Sequence, residues 1–240
     1  MKRIFDLFFS LIGIFVLFPV FIITTLFVFF NDFKTPFYTP LRMGKNMKAF
    51  RIIKFRSMVV GADKSGINST SSNDNRITNV GKIIRKFKLD ELSQLFNVFI
   101  GNMSLVGPRP QVIDHVLNEY SEKEKQLLDV KPGITDFSSI VFSDEGDILK
   151  DSIDPNKDYN NLIRPWKSKL GLFYIKNQSI VIDFILILLT IVAIVNKKLS
   201  LRFINMLLIK YKASSELVNV SKRDKTLKSI KLNLKSFKNC

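Results

Sequence analysis

The stretch that decides the fold is "KLDELSQLFNVFIGNMSLVGPRP", residues 88 to 110. Its apolar residues recur at the spacing of one helix face, so the stretch predicts an amphipathic helix. The helix is expected to begin near Asp90 and to stop at Gly101, because glycine favours the left-handed conformation that ends many helices. An amphipathic helix packs its apolar face on a core, so the sequence indicates a folded domain around this segment.

The polar face of this helix carries the residues that suggest chemistry. Asp90, Gln94 and Asn97 fall on one side, which we expect to point away from the core, and Glu91 lies at the edge of that side. Carboxylates in a first turn also complement the helix dipole, so capping alone would explain Asp90 and Glu91 in isolation. A helix amino terminus attracts phosphate as well, and it keeps a carboxylate ionised and available as a nucleophile.

Cations flank the acidic pair on both sides. Arg85 lies about one turn upstream, and Arg109 lies between two prolines that fix the backbone around a two-pronged phosphate donor. "AFRIIKFRSM" (49 to 58) predicts a strand whose alternation places Lys54 and Arg56 on one face. A stiff surface loop and solvated strand-end cations are the simpler interpretations. Together with the long apolar segment at residues 7 to 30, which is typical of a membrane segment, these residues suggest phosphoryl chemistry on a lipid-borne substrate.

The amino-terminal segment from residue 7 to residue 30 is apolar and carries no charge. Its length suits a spanning helix, but Pro19 interrupts it and predicts a bend. If the helix is broken at Pro19, each of its two halves is long enough to enter the bilayer but too short to cross it. Basic residues on both flanks favour a cytoplasmic location for both ends, which a re-entrant hairpin satisfies and a span does not. The residues alone leave both arrangements open.

The composition excludes some kinds of site. The chain has 240 residues and a net charge of +16, which favours polyanionic partners without choosing among them. Its one cysteine, Cys240, and one histidine, His115, exclude an intramolecular disulfide and a Cys/His zinc cluster. Any chemistry therefore rests on carboxylates, Arg, Lys and hydroxyls. His115 is expected to be a surface residue rather than a base.

Two further segments concern lipid. Residues 180 to 196 are apolar, but their charge-free part is short, which predicts a core or interfacial helix rather than a span. The segment from 197 to 240 carries 12 Lys/Arg and 2 Asp/Glu interleaved with apolar residues, and it suits an amphipathic surface on anionic lipid. Nucleic-acid binding is the alternative explanation for the positive charge of this segment, but the segment has almost no aromatic residues on which bases could stack.

Three motifs resemble the bacterial sugar transferase family, the small monotopic polyprenyl-phosphate phosphoglycosyl transferases. They are "KFRSM" (54 to 58), "RITNVGKIIRKFKLDELSQLFNVFIGNMSLVGPRP" (76 to 110) and "PGIT" (132 to 135), and the resemblance covers roughly residues 1 to 190. It implies an α/β fold, mostly helical with a small sheet, on the cytoplasmic face of the bacterial inner membrane. The expected parts are a re-entrant membrane anchor (1–31), a compact catalytic domain with interfacial amphipathic helices (32–196) and a basic amphipathic tail (197–240).

The resemblance also implies a reaction. Family members transfer a sugar-1-phosphate from a UDP-sugar to undecaprenyl phosphate with Mg²⁺, which initiates a capsule, exopolysaccharide, O-antigen or glycoprotein glycan. Asp90 would be the nucleophile, Glu91 would assist, and both would be the metal ligands. Downstream glycosyltransferases are expected further partners, and nucleic acid is not. We expect the substrate-binding residues to be Lys54, Arg56, Arg85, Gln94, Asn97 and Arg109.

The sequence departs from the family pattern in two places. Ser93 stands where the family usually has proline, at a helix position that tolerates serine. Asp136, Phe137 and Ser138 replace a glycine and an apolar pair after "PGIT". This second departure puts the acceptor or sugar side of the pocket in doubt. It motivates an alternative function as a catalytically weakened membrane-bound scaffold of a glycan assembly complex.

Overall fold

A computed structural model describes residues 1–66, 69–224 and 227 of the chain. Its helices are α1 Lys2–Val16, α2 Phe18–Asp32, α3 Asn79–Lys86, α4 Leu89–Leu92, α5 Gln94–Ile100, α6 Ile113–Glu119, α7 Glu122–Lys125, α8 Phe137–Val141, α9 Glu145–Ile148, α10 Pro155–Asp158, α11 Arg164–Asn177, α12 Ile180–Val195, α13 Lys197–Lys210 and α14 Ser215–Lys222. Its strands are β1 Phe37–Tyr38, β2 Leu41–Met43, β3 Ala49–Arg51, β4 Lys54–Phe55, β5 Ser104–Val106 and β6 Gly133–Thr135. The mostly helical fold with little sheet is confirmed.

The amino-terminal helices α1 and α2 meet at Leu17 with a bend of 62°. Pro19 lies in the first turn of α2, where its missing N–H removes no helix hydrogen bond, so the predicted bend is confirmed. By length and composition, no single helix of the described residues could cross a membrane, whereas the bent pair passes the same test when its two helices are taken together.

Hydrogen bonds attach both ends of this bent helix pair to the rest of the fold. The buried Asp6 carboxylate accepts from Ser104 Oγ and from the backbone N–H of Leu105, both at 3.0 Å. The Arg3 guanidinium donates to the last carbonyls of α5. At the other end, Arg56 donates to both carboxylate oxygens of Asp32 at 2.6 Å. The bent pair α1–α2 is therefore held to the domain by buried and partly buried polar contacts as well as by apolar packing.

The strand predicted over residues 49 to 58 is broken, which corrects the sequence interpretation. β3 pairs antiparallel with β2 and β4 pairs antiparallel with β1, and residues 52 and 53 separate them. The Asn97 side chain fills this break: its Oδ1 accepts from Ile53 N–H and its Nδ2 donates to Arg51 C=O, both at 2.8 Å. A broken strand leaves backbone groups that need partners, and the Asn97 amide supplies them.

The parallel pair β5 and β6 lies beside the predicted site. Their register aligns Ser104 with Gly133 and Val106 with Thr135. A Cβ on Gly133 would lie only 2.0 Å from the backbone nitrogen of Gly107, so this approach excludes any side chain. Because Gly107 opens the Gly-Pro-Arg-Pro segment, the β5–β6 pair fixes where that segment begins.

The carboxyl-terminal helices belong to the core. The apolar helix α12 is buried on one side and exposed on the other, as predicted for a core or interfacial helix. α13 and α14 then bury Leu201, Ile204, Leu208 and Leu217 in the same hydrophobic cluster. The hydrophobic cluster thus continues past residue 197, and the domain boundary expected there stays a prediction. The rest of the predicted basic tail, apart from residue 227, lies outside the described residues after residue 224.

Candidate active site

The acidic pair lies in a short helix rather than in one long one. Lys88 adopts a left-handed backbone conformation at φ 55°, and the four-residue helix α4 follows it. Ser93 then separates α4 from α5, so the predicted continuous helix is interrupted, and its hydroxyl donates to the carbonyl of Ile53. The predicted end is confirmed, because Gly101 terminates α5 at φ 104°. Asp90 and Glu91 thus lie on a separate turn that is fixed from both sides.

The polar face of this segment is buried, which corrects the expectation that it points away from the core. Gln94 and Asn97 are both 1% exposed, whereas Phe99 on the predicted core face is 41% exposed. The physical reason is the broken strand beside it, because strand backbone with unsatisfied groups packs on the polar face. The Asn97 amide is used in full by that backbone, so the structure places Asn97 as a support beneath the site.

Glu91 is held by two cations. Its carboxylate accepts from Arg109 and lies 3.7 Å from Lys54 Nζ, and both contacts use Oε1. Burial opposes ionisation of Glu91, but Arg109 and Lys54 outweigh it and hold the pKa of Glu91 well below its usual range. The same carboxylate raises the pKa of Arg109. The structure therefore brings Lys54, Glu91 and Arg109 together as a fixed ionic cluster.

Asp90 differs from its neighbour, because one of its oxygens is unused. Asp90 is 8% exposed, and its Oδ1 has no hydrogen-bond partner among the described residues. Burial raises the pKa of Asp90, Lys54 opposes that shift, and Glu91 reinforces it. The Nε2 of Gln94, one turn later on the same face, also lacks a partner within the described residues. Buried polar atoms are nearly always satisfied, so this pair indicates a place for a ligand.

Arg85 approaches the pair from α3. The Cβ that any residue other than glycine would place at Gly81 would lie 1.9 Å from the carbonyl oxygen of Ser57, so the glycine allows α3 to lie directly on that segment. Arg85 Nε then donates to Ser57 Oγ at 3.0 Å. Its charge opposes the rise in the pKa of Asp90, as does that of Lys88. The sequence reasoning missed Lys88, although it lies only two residues before Asp90.

Arg56 is not brought into this cluster. Its guanidinium is directed to Asp32 at the end of α2 and to the backbone carbonyl of Thr35 at 2.7 Å. The prediction that Lys54 and Arg56 line one phosphate site assumed a regular strand. Here the two side chains have different partners, because β4 ends at Phe55.

Glu145 and Lys167 are a second pair that sequence reasoning did not find. Lys167 Nζ is bonded to Glu145 and lies 5.6 Å from the centre of the Tyr159 ring. Burial opposes ionisation of Glu145, but Lys167, Arg109 and Lys88 together lower its pKa. Glu145 is therefore close enough to Arg109 and Lys88 for their charges to act on it. No local pattern marks these residues, because the two lie on separate helices.

Comparison with known proteins assigns the family. The sequence model described as "Bacterial sugar transferase" matches residues 1–197. The chain belongs to the bacterial sugar transferase family.

Curated relatives cover different shares of this sugar transferase chain. A "Putative undecaprenyl-phosphate N-acetylgalactosaminyl 1-phosphate transferase" of Bacillus subtilis (strain 168) is 40% identical over 46% of this chain and 62% of its own length. "Exopolysaccharide production protein PSS" of Rhizobium leguminosarum bv. phaseoli is 34% identical over 80% of this chain and 94% of its own length. "UDP-N-acetylgalactosamine-undecaprenyl-phosphate N-acetylgalactosaminephosphotransferase" of Aeromonas hydrophila is 32% identical over 79% and 42%. The chain thus spans less than two thirds of two of these three relatives.

The departure at Asp136 has a structural explanation. Asp136 is the N-cap of α8, and its Oδ1 accepts from the backbone N–H of Ser139 at 2.7 Å. The hydroxyls of Ser138 and Ser139 donate to the same carboxylate. The carboxylate is fully buried and engaged by its own helix, as is usual for an N-cap aspartate. The scaffold alternative rested on this residue and on the altered segment 136 to 145, and it is not favoured, because relatives in the matched family are named as sugar phosphotransferases.

His115 is partly buried rather than at the surface. Its Nε2 lies 2.7 Å from Asn160 Oδ1, and its ring packs near Tyr120 and Tyr159. No described contact joins the ring to Asp90 or Glu91. The expectation that His115 does not act as the base stays a prediction.

Proposed function

We propose that the chain is a phosphoglycosyl transferase that moves a sugar-1-phosphate from a UDP-sugar to undecaprenyl phosphate. The observation that carries the proposal is the buried Oδ1 of Asp90, which has no hydrogen-bond partner among the described residues. The charges of Lys54, Arg85, Lys88 and Arg109 act on this carboxyl group. A nucleophile for phosphorus needs a free oxygen, and its anionic substrates need cations around it. The names of the relatives in B. subtilis and A. hydrophila support the same substrate classes.

In the first step, Asp90 Oδ1 attacks the β-phosphorus of the UDP-sugar. The new O–P bond forms as the bond to the α-phosphate oxygen breaks, and UMP leaves with that electron pair. The product on the enzyme is an Asp90 phosphosugar. In the second step, a phosphate oxygen of undecaprenyl phosphate attacks the same phosphorus. This step forms the diphosphate link of the lipid-bound sugar and returns Asp90 as a free carboxylate.

The cations bind and orient the phosphates in this scheme. Arg109 presents two N–H donors to phosphate oxygens, and Lys54 acts as a point charge beside it. Because Glu91 holds both cations, it fixes their positions before substrate arrives, and no ordering cost arises during the reaction. Gln94 Nε2 lies on the same face as Asp90, has no partner in the described part of the chain and can donate to a substrate oxygen. Arg85 is held by Ser57 at the other side of the acidic pair.

The residues of this site fit a Mg²⁺ ion whose ligands come from both the protein and the substrate. Among the described residues, no three His, Cys, Asp or Glu side chains form a metal cluster. Mg²⁺ commonly uses one or two carboxylates together with substrate phosphates, and the adjacent carboxylates of Asp90 and Glu91 offer that donor set. Asp90 and Glu91 would hold it, and the ion would neutralise charge on the departing UMP.

The bent pair α1–α2 supports a re-entrant anchor at the bacterial inner membrane with the site on the cytoplasmic face. Asp6 and Arg3 tie the first turns of α1 to β5 and α5, so the anchor and the acidic pair form one structure. In that arrangement, Asp90 lies near headgroup depth, where a lipid phosphate meets a soluble nucleotide sugar. The product would pass to downstream glycosyltransferases of exopolysaccharide or capsule assembly.

The proposal is tested with Asp90→Asn, with Asp151→Asn as the control at an exposed carboxylate. Release of UMP is measured from a panel of UDP-sugars with and without undecaprenyl phosphate, and the phosphosugar adduct is sought by mass spectrometry of intact protein. We expect Asp90→Asn to abolish both signals, because an amide oxygen is a poor nucleophile, and Asp151→Asn to retain both. Full turnover by Asp90→Asn would rule out the covalent mechanism.

A further inference from the structure

Helix α13 begins at the last residue that the family model matches, Lys197, and presents apolar residues on two faces. One face is in the core through Leu201, Ile204 and Leu208. The opposite face exposes Phe203, Met206 and Ile209 by 47%, 62% and 58%. A helix that is apolar on both sides needs a second apolar environment for the outer one.

The outer face of α13 continues into a groove against α12. The groove has a volume of about 310 Å³, and its lining is almost entirely apolar. Ile185 and Leu189 of α12 form one wall, Phe203 and Met206 form the other, and Lys210 lies at the end. A groove of this shape and chemistry suits a hydrocarbon chain whose polar end lies beside the lysine.

This face is continuous with the apolar surface of the bent pair α1–α2. The rings of Phe9 in α1 and Phe184 in α12 lie 6.3 Å apart. Exposed Phe184, Leu188 and Ile191 then extend along α12. The apolar surface therefore runs from α1 over α12 to the groove and to α13.

The positive charges around the groove indicate which molecule would occupy it. The sequence of α13 contains no acidic residue, and the exposed Lys198, Arg202 and Lys210 lie on the same side of the helix as its outer apolar residues. A second copy of the chain would bring these like charges together with no acidic residue of α13 to pair them. Anionic phospholipid supplies both requirements, because its chains are apolar and its phosphates are negative. The long Lys and Arg side chains can reach headgroups while their stems cover apolar surface.

We propose that α13, together with the α12–α13 groove, is a second membrane-contact element that takes an acyl chain of anionic phospholipid. Arg202 and Lys210 contact its phosphate. The proposal goes beyond the transferase reaction and needs no turnover for its test, so its failure and the failure of the proposed function are distinguishable.

The test uses the full chain in vesicles, with fluorescence as the measurement. Trp166 is the single tryptophan, so Trp166→Phe removes the native fluorescence. In this background, Phe203→Trp places a tryptophan on the outer face of α13, and Asn219→Trp places one at an exposed position of α14 as the control. In vesicles that contain brominated phosphatidylglycerol, we expect a blue-shifted emission and loss of emission for Phe203→Trp. The control should keep its emission and be quenched by aqueous iodide instead. Thermal unfolding of each variant establishes that it is folded.

Two results would overturn the proposal. One is quenching of Phe203→Trp by iodide and not by brominated lipid, as in the control. The other is disulfide cross-linking between copies through Met206→Cys in a Cys240→Ser background, which would assign the groove to a second chain.

The role of the headgroup is tested with the double variant Arg202→Gln and Lys210→Gln. In the unmodified cation background, brominated phosphatidylglycerol should quench Phe203→Trp more strongly than brominated phosphatidylcholine does, and the double variant should remove this excess quenching. An unchanged excess would contradict the assignment of the two cations.

Discussion

At the scale of single residues, the site depends on the difference between two adjacent carboxylates. Glu91 is committed to Arg109 and Lys54 and keeps a low pKa. Asp90 is buried, its Oδ1 has no partner within the described ranges, and burial raises its pKa. An ion pair holds one carboxylate permanently charged, while the other is the more basic and reactive. The pair therefore divides into a positioning group and a proposed nucleophile.

The charge of Lys54 should be visible in the pH dependence of the reaction. Lys54 favours the ionised form of Asp90, so Lys54→Met should raise the pKa of Asp90 further. Because the reactive form is the carboxylate, activity is lost as the pH falls through this pKa. The acid limb of the rate profile should thus move to higher pH, in addition to a lower rate. Single-turnover release of UMP between acid and neutral pH measures this.

Lys64→Met, at an exposed lysine in the loop after β4, serves as the matched control and should leave the acid limb in place. If Lys54→Met lowers the rate but leaves the acid limb of the rate profile at the same pH as in the unmodified protein, Lys54 does not shift the pKa of Asp90.

At the scale of elements, short helices are fixed by their caps rather than by their length. α8 has only five residues, so it depends on its N-cap, Asp136, and on packing. α5 ends at Gly101, where Arg3 of α1 donates to its last carbonyls. The elements around the site are therefore placed by specific polar contacts between distant parts of the chain.

Asp136→Ala should destabilise the fold by about 1 to 2 kcal/mol, because it removes the N-cap of a buried helix and leaves donors unsatisfied. Asp154→Ala, at the exposed N-cap of the short helix α10, should cost less. Urea unfolding in detergent compares the two. Equal stability of Asp136→Ala and the unmodified protein would return Asp136 to the list of candidate pocket residues.

At the scale of the whole molecule, the folded unit extends beyond residue 197. Four side chains of α13 and α14 are buried in the common core: Leu201, Ile204, Leu208 and Leu217. Burial of each contributes about 1.5 to 3 kcal/mol, so their sum is comparable with the whole stability of a domain. A chain that ends at residue 196 should therefore aggregate or unfold at a much lower temperature than one that ends at residue 224. The same melting temperature for both would show that α13 and α14 are dispensable.

The anchor can be tested by cysteine labelling in a Cys240→Ser background. One cysteine is inserted after Met1, and Lys34→Cys places another just beyond α2. A re-entrant hairpin keeps both ends on the cytoplasmic side, so an impermeant maleimide should label neither in intact cells and both after permeabilisation. Labelling of one end alone in intact cells would assign a spanning helix.

Sequence by itself determined the features that depend on neighbours along the chain. The apolar period located the segment with Asp90 and Glu91, Gly101 marked its end, and Pro19 predicted the bend, since period, glycine and proline act over one or two turns.

Tertiary structure decided the features that depend on distant residues. It paired Arg56 with Asp32, turned Asn97 inward onto a broken strand and brought Glu145 towards Arg109. It also packed α13 into the core. The physical reason is that a side chain's partner is set by which segments meet in space, and a single sequence gives the period of a segment but not its neighbours.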